Sequence, residues 1–187
     1  MNKIKLFSVI IMIEILIIIA LLVVFFTNWK IFSPDTYKIN VSSNDLIYSS
    51  DNSVPFTGKM MDTLSNKLIV SFEVVDGIKQ GEYILLTMDG NFAIKGFMNK
   101  NKNDGNWEYY YEGGQLECTG NFKDDEPVDK WSWFYKNGQL KCEGKFINGK
   151  PDGLWRSYNE DGYLSKIINY KFGEVINSTY LSNPRRV

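Results

Sequence analysis

The sequence predicts an all-β protein: an elongated antiparallel β-meander of about five 24-residue hairpin repeats, preceded by one transmembrane helix. Three observations predict it. An aromatic and glycine pattern recurs at one fixed interval from residue 57 to residue 170. Gly-containing dipeptides punctuate that pattern inside any window of helical length. A run of about twenty apolar residues stands ahead of it.

Taken in order, residues 1–30 come first. Leu6–Phe26 is apolar apart from Ser8 and Glu14. At the helical rise such a run spans roughly 30 Å, the thickness of a bilayer core. Lys3 and Lys5 precede it, and Trp29 and Lys30 follow as an interfacial belt. The run is longer than a signal-peptide core, Ala20-Leu21-Leu22 is a poor cleavage site, and no Cys follows for a lipid anchor. An uncleaved single-pass anchor is expected. The positive-inside rule puts the amino terminus in the cytoplasm and the repeats outside it. Glu14 lies mid-span, where an ionisable group is a functional candidate, for example in a helix–helix contact. With no partner in the sequence, a tolerated carboxyl is the plainer reading.

Residues 31–54 read as a polar juxtamembrane tether with little core of its own, rich in Ser, Asn and Asp. Asp45–Tyr48 is a candidate edge strand. The acceptor-like tripeptides Asn40-Val41-Ser42 and Asn177-Ser178-Thr179 stand without other secretory signals and are read as chance.

Residues 55–177 carry the repeats. From Gly105 follow Trp107, Tyr109, Tyr110, Gly113-Gly114, Leu116, Cys118, Gly120 and Phe122. A shift of 24 gives Asp129, Trp131, Trp133, Phe134, Asn137-Gly138, Leu140, Cys142, Gly144 and Phe146. Another gives Gly153, Trp155, Ser157, Tyr158, Asp161-Gly162, Leu164, Ile168 and Tyr170. Backward shifts give Gly81, Tyr83, Asp89-Gly90, Phe92, Gly96 and Met98, then Thr57, Leu68, Phe72 and Val74. Each unit reads as a hairpin: a β-prone run, a two-residue turn of type I′ at the Gly-containing dipeptide, and a strand alternating apolar with polar. Loops such as Ile147–Gly153 then lead to the next unit, giving ten strands. A lone hairpin is marginal, so neighbouring units must share a buried face. Residues 178–187 look like a frayed C-terminal tail.

The units Gly105-Asn106-Trp107-Glu108-Tyr109-Tyr110-Tyr111-Glu112-Gly113-Gly114-Gln115-Leu116 and Gly153-Leu154-Trp155-Arg156-Ser157-Tyr158-Asn159-Glu160-Asp161-Gly162-Tyr163-Leu164 resemble the bacterial variant of MORN (membrane occupation and recognition nexus) repeats, with their G-x-W-x-x-Y-Y-x-x-G-x-L pattern. The resemblance covers about Pro55–Asn177. It implies an elongated sheet of successive hairpins, and, through the antitoxin-like label many such proteins carry, a protein partner. It implies no catalytic residue. Asp129 departs from the pattern's Gly, and the acidic Lys123–Pro127 stretch departs from its loop, which makes that loop a candidate for atypical structure.

Several chemistries are excluded or disfavoured. There is no His, so a Ser-His-Asp triad, a Cys-His pair and His metal sites are absent. Net charge is −1, and over Pro55–Asn177 there are 15 basic and 18 acidic residues, a net −3. Nucleic-acid binding and a cationic lipid-binding surface gain no support. Asp124, Asp125, Glu126 and Asp129 cluster, but no EF-hand register fits them, so a solvated loop is expected and no metal or cofactor. An enzyme relying on two carboxylates would need a pocket that these loop and wet-strand acids lack.

Cys118 and Cys142 hold the same position in adjacent units. Equivalent positions lie two strands apart, roughly 9.5 Å, beyond the ~7 Å Cα limit of a disulfide. Both are expected free, as small packing residues. Trp107, Trp131 and Trp155 form a column with Tyr83, and Tyr109 and Trp133 share its parity; Tyr110, Phe134 and Tyr158 point the other way. Aromatics on both faces exceed what a one-sided core needs, so these eight residues from Trp107 to Tyr158 are the candidate binding surface. Two functions follow: a membrane-anchored, non-enzymatic protein-binding sheet of the antitoxin or immunity kind, or an envelope glycan-binding module using an aromatic stripe.

Overall fold

The computed structural model describes residues 40–41, 46–49, 54–64 and 67–186. The expected anchor lies outside them, as does most of the tether. Among the described residues no helix is long and apolar enough to cross a membrane. The strands are β1 (Asn40–Val41), β2 (Ile47–Tyr48), β3 (Gly58–Leu64), β4 (Leu68–Val75), β5 (Ile78–Thr87), β6 (Phe92–Asn99), β7 (Lys102–Asn103), β8 (Gly105–Tyr110), β9 (Leu116–Lys123), β10 (Glu126–Phe134), β11 (Leu140–Ile147), β12 (Lys150–Tyr158), β13 (Tyr163–Lys171) and β14 (Glu174–Arg186). β1 pairs with β2. The other twelve form one elongated antiparallel sheet in sequence order from β3 to β14, with β7 pairing on β6.

Two kinds of turn alternate along the meander, and their placement corrects the expected one. At Asp89-Gly90, Gly113-Gly114, Asn137-Gly138 and Asp161-Gly162 only the second residue has positive φ. There the Tyr111 N–H donates to the Gln115 carbonyl (2.9 Å) and the Gly114 N–H to the Tyr111 carbonyl (2.8 Å). That is a three-residue connection, a type I turn closed by a glycine bulge. The I′ turns, with both central residues at positive φ, sit at the other edge: Asp76-Gly77, Lys100-Asn101, Asp124-Asp125, Asn148-Gly149 and Phe172-Gly173. The expected loop Ile147–Gly153 is therefore a two-residue turn, and β12 already begins at Lys150. The acidic stretch is not atypical either, since Asp124 and Asp125 (φ 51° and 71°) take the same turn as Asn148-Gly149.

The first residue of each unit after the first is a bulge. Gly81, Gly105, Asp129 and Gly153 all have positive φ (98°, 71°, 58° and 73°). Pairing slips between Val128 and Ser132 around Asp129. Asp is among the few side chains that tolerate this left-handed conformation, which explains how Asp129 replaces Gly without altering the unit.

The two ends of the sheet differ. At the first end Ile47 (3% exposed) joins Phe56, Met60 and Val74 (1% exposed) in a small core, with Phe72 against it. The Ile47 N–H donates to Gly77 and the Phe56 N–H to Ile47. The stretch expected to lack a core thus supplies the cap of the sheet, because one buried aliphatic side chain in a polar segment is enough to dock it. At the last end the expected frayed tail from residue 178 is strand. β14 runs to Arg186 and pairs with β13, Ile168 against Ser178 and Lys166 against Tyr180. The meander has eleven successive strand runs, β7 and β8 being one run broken at the Gly105 bulge, where ten were expected.

Candidate functional site

The register places one residue row across the whole sheet. Met60, Phe72, Tyr83, Gly96, Trp107, Gly120, Trp131, Gly144, Trp155, Ile168 and Ser178 face one another on successive strands; Gly96–Trp107, Gly120–Trp131 and Gly144–Trp155 lie one step beyond the ladder pairs Lys95–Glu108, Thr119–Ser132 and Glu143–Arg156. Trp and Gly alternate through its centre for a steric reason. A Cβ built on Gly96 would collide with the Trp107 indole, one on Gly120 with Trp131, and one on Gly144 with Trp155. Each indole therefore lies flat over the glycine of the preceding strand. Each also donates its N–H to that strand's backbone: Trp107 to Phe97 O (3.1 Å), Trp131 to Asn121 O (3.1 Å) and Trp155 to Lys145 O (3.3 Å). A buried indole needs such an acceptor.

Phenyl rings close the gaps between indoles. Phe122 stands edge-on between Trp107 and Trp131, with centroids 5.9 and 5.0 Å away. Phe146 does the same between Trp131 and Trp155 at 5.9 and 5.1 Å. Tyr170 meets Trp155 at 5.7 Å, and Tyr83 stacks between Phe72 and Trp107. The ladder buries Trp107 (5% exposed) and Trp131 (6%) without a second sheet. Trp155, Tyr109 and Trp133 are half-buried. Trp133 rests against Trp131 and Trp155. This face is the core of a single-layer sheet.

Cys118 and Cys142 are both free. They lie in the neighbouring row of this face on either side of Trp133, each paired directly with it. An entire strand separates the thiols, as the two-strand spacing requires.

The opposite face is mixed, with the exposed apolar side chains of Phe97 and Leu154 beside charged ones. Its central row runs Lys95, Glu108, Thr119, Ser132, Glu143, Arg156. Lys95 faces Glu108, and Glu143 faces Arg156, the opposite-charge pairs that stabilise a cross-strand position. Two shallow depressions on this face sit 48 residues apart and carry inverted charges: Glu82, Lys95 and Glu108 in one, Lys130, Glu143 and Arg156 in the other. Lys130 Nζ is 2.7 Å from Glu143 Oε2 and holds that carboxyl below the usual carboxylate range. Tyr158 Oη donates to Glu143 (3.2 Å), and Tyr110 Oη donates to Glu108 (2.7 Å). Burial, reinforced by Glu108, pushes the Tyr110 phenol up to about 12. Tyr110 and Phe134 are half-buried, and Tyr158 is buried.

The eight candidate residues thus divide as their parity predicted. Trp107, Tyr109, Trp131, Trp133 and Trp155 belong to the aromatic ladder, and Tyr110, Phe134 and Tyr158 border the charged row. Sequence reading missed the role of Gly96, Gly120 and Gly144. The signal was present as a constant interval of eleven between each glycine and the Trp that covers it.

Fold and register together define a β-repeat protein built of stacked hairpins. A family model described as MORN repeat variant matches residues 103–124, 130–148 and 151–172. The two preceding hairpins lie outside the matched residues yet continue the same sheet. No curated protein matches the chain. Among solved structures the chain is similar to S. aureus TarM at 12% identity and a TM-score of 0.31, over 63% of this chain and 20% of that one. It is also similar to accessory secretory protein 1,2 and 3 of Streptococcus pneumoniae at 14% identity and a TM-score of 0.28, over 73% and 23%. The chain spans about a fifth of the length of each.

Proposed function

We propose that this chain is a membrane-anchored, non-enzymatic repeat protein that binds a partner protein on its sheet, in the manner of an antitoxin or immunity protein, with the repeats outside the cytoplasm. The supporting observation is the face opposite the ladder. It offers a charged row, Lys95 to Arg156, bordered by the half-buried aromatics Tyr110 and Phe134. Aromatic anchors beside polar groups are the usual composition of a protein-binding surface. The glycan reading requires stacking on indole faces that Phe122, Phe146 and the row glycines already cover at Trp107 and Trp131.

The test is a photoreactive side chain at Phe134 of the full chain in its own cells. One defined protein adduct, with a yield that falls on Tyr110→Ala, is expected. No protein adduct, or a yield indifferent to Tyr110→Ala, overturns the reading. Protease added to intact cells should remove the repeats if they lie outside.

A further inference from the structure

The face opposite the ladder carries a charge pattern that is complementary to itself. A step of 48 residues, from the depression on β5, β6 and β8 to the one on β10, β11 and β12, exchanges Glu82 for Lys130, Lys95 for Glu143 and Glu108 for Arg156. On the ladder face the same step returns the same residue, as Trp107 and Trp155 show. The depressions are centred on β6 and β11, so the line midway between them is β9, the middle run of the eleven. The aromatics beside the charged row obey the same symmetry, Tyr110 on β8 and Phe134 on β10. Phe97 and Leu154 stand 45% and 49% exposed among these charges. Among the described residues Lys95 and Arg156 close no salt bridge with Glu108 and Glu143, the carboxylates they face.

We infer that a second copy of this chain seats on this face, the two sheets packed front to front about a two-fold axis running along β9. Such an axis lays each run over the one equally far on the other side of β9, so β6 meets β11 and β8 meets β10. Lys95 then opposes Glu143 of the second copy, and Tyr110 opposes its Phe134. Glu82 and Glu108 come beside its Arg156 and Lys130. Each of these contacts occurs twice. An axis across the strands would instead set each depression on its own twin, with like charges together. Two sheets packed with nearly aligned strands form the ordinary sandwich. The runs from β5 to β12, ~4.8 Å apart, present roughly 700 Å² per copy, close to the ~800 Å² per partner of a standard stable interface. The inference rests on the reading of this face as protein-binding and names its occupant, which any other partner must displace.

The test is sedimentation of the full chain in detergent micelles, with circular dichroism to check that each variant keeps its strands. The wild type is expected to be a dimer. Lys95→Glu opposes two carboxylates twice, and Glu143→Lys opposes two ammonium groups twice, so each variant alone should associate on the order of tenfold more weakly. Mixed in equal amounts, the two variants should dimerise with each other, because each supplies the sign the other lacks at both contacts. A monomeric wild type, a dimer indifferent to both changes, or a mixture no better associated than either variant overturns the inference. The photoreactive side chain at Phe134, in an otherwise unaltered chain, separates this failure from that of protein binding. An adduct between two copies is expected. An adduct with a different protein alone overturns the inference and leaves the face protein-binding, and no protein adduct overturns both.

Discussion

Asn103 and Asp125 bind each other twice. The Asn103 N–H donates to Asp125 Oδ1 at 2.7 Å, and the Asp125 N–H returns to the Asn103 carbonyl at 3.0 Å. Lys79 and Asn101 repeat the pattern at 2.7 and 3.0 Å. In the next two units the same places hold Pro127 with Gly149, and Pro151 with Gly173. The glycine N–H still reaches the proline carbonyl, at 3.2 and 2.9 Å. Where the turn residue has no acceptor side chain, the partner has no N–H to satisfy. The pair therefore comes in two self-consistent forms.

Mixing the forms should cost stability. Asp125→Gly is expected to be near neutral, since relief of φ 71° offsets the lost bond. Asn103→Pro should destabilise by ~1 kcal/mol when Asp125 is present and by much less with glycine at 125. Urea unfolding of the four chains gives the coupling. A coupling of zero would show that the two bonds do not act together.

Gly120→Ala should be more damaging than a helix- or strand-propensity argument suggests. Gly120 is not at positive φ, and the nearest obstacle is the Trp131 indole lying on it. Overpacking of this kind costs ~1–3 kcal/mol. Trp131→Leu in the same chain vacates that space, so the double variant should lose less than the sum by ~1 kcal/mol. Additive losses would mean the indole does not rest on the glycine.

The two thiols should react at different rates. Cys118 is buried, and burial pushes its thiol up to about 12; Cys142 is raised in the same direction but is half-buried. An alkylating reagent followed by peptide mass analysis should label Cys142 first. The raised Cys118 value also gives a sign for pH dependence. The unfolded thiol ionises near ~8.5, so its contribution is intact below that value and falls as pH rises toward about 12. Cys118→Ala should flatten the alkaline decline in melting temperature.

Glu143 gives the opposite sign. Its carboxyl is held low first by the hydrogen bond from Lys130 and then by Tyr158. A depressed carboxyl contributes stability above its unfolded value of ~4.3 and loses it as pH falls through the lower folded value. The Lys130 side chain is 69% exposed, so Lys130→Ala should cost only ~0.2–1 kcal/mol at neutral pH. That difference should vanish in acid, which thermal melts across the acid range would show.

Residue interval carried most of the fold. The 24-residue period, the parity of Trp107 against Tyr110, and the separation of Cys118 from Cys142 all follow from counting along alternating strands. Turn chemistry did not follow. Asn137-Gly138 and Asn148-Gly149 are the same dipeptide, yet only the second has both residues at positive φ. The difference is whether two or three residues bridge the strands, which the register decides. β14 was hidden because backbone pairing demands no aromatic or glycine signature. Ile47 was hidden because its partners, Met60 and Val74, are distant in sequence. The charged row escaped notice because Lys95 and Glu108 become neighbours only when β6 meets β8.

Every indole in the row leans the same way, onto the glycine and carbonyl of the strand before it. The indole row therefore has a grain. The tyrosines lean the other way: Tyr111 Oη donates to the Phe134 carbonyl and Tyr135 Oη to the Tyr158 carbonyl, both at 2.8 Å in the following unit. Removing Gly96 and Phe97 takes the floor from under Trp107, and losing the next hairpin leaves the Tyr111 hydroxyl without its acceptor. Neighbouring units are thus stitched in both directions, the indoles reaching back and the phenols reaching forward.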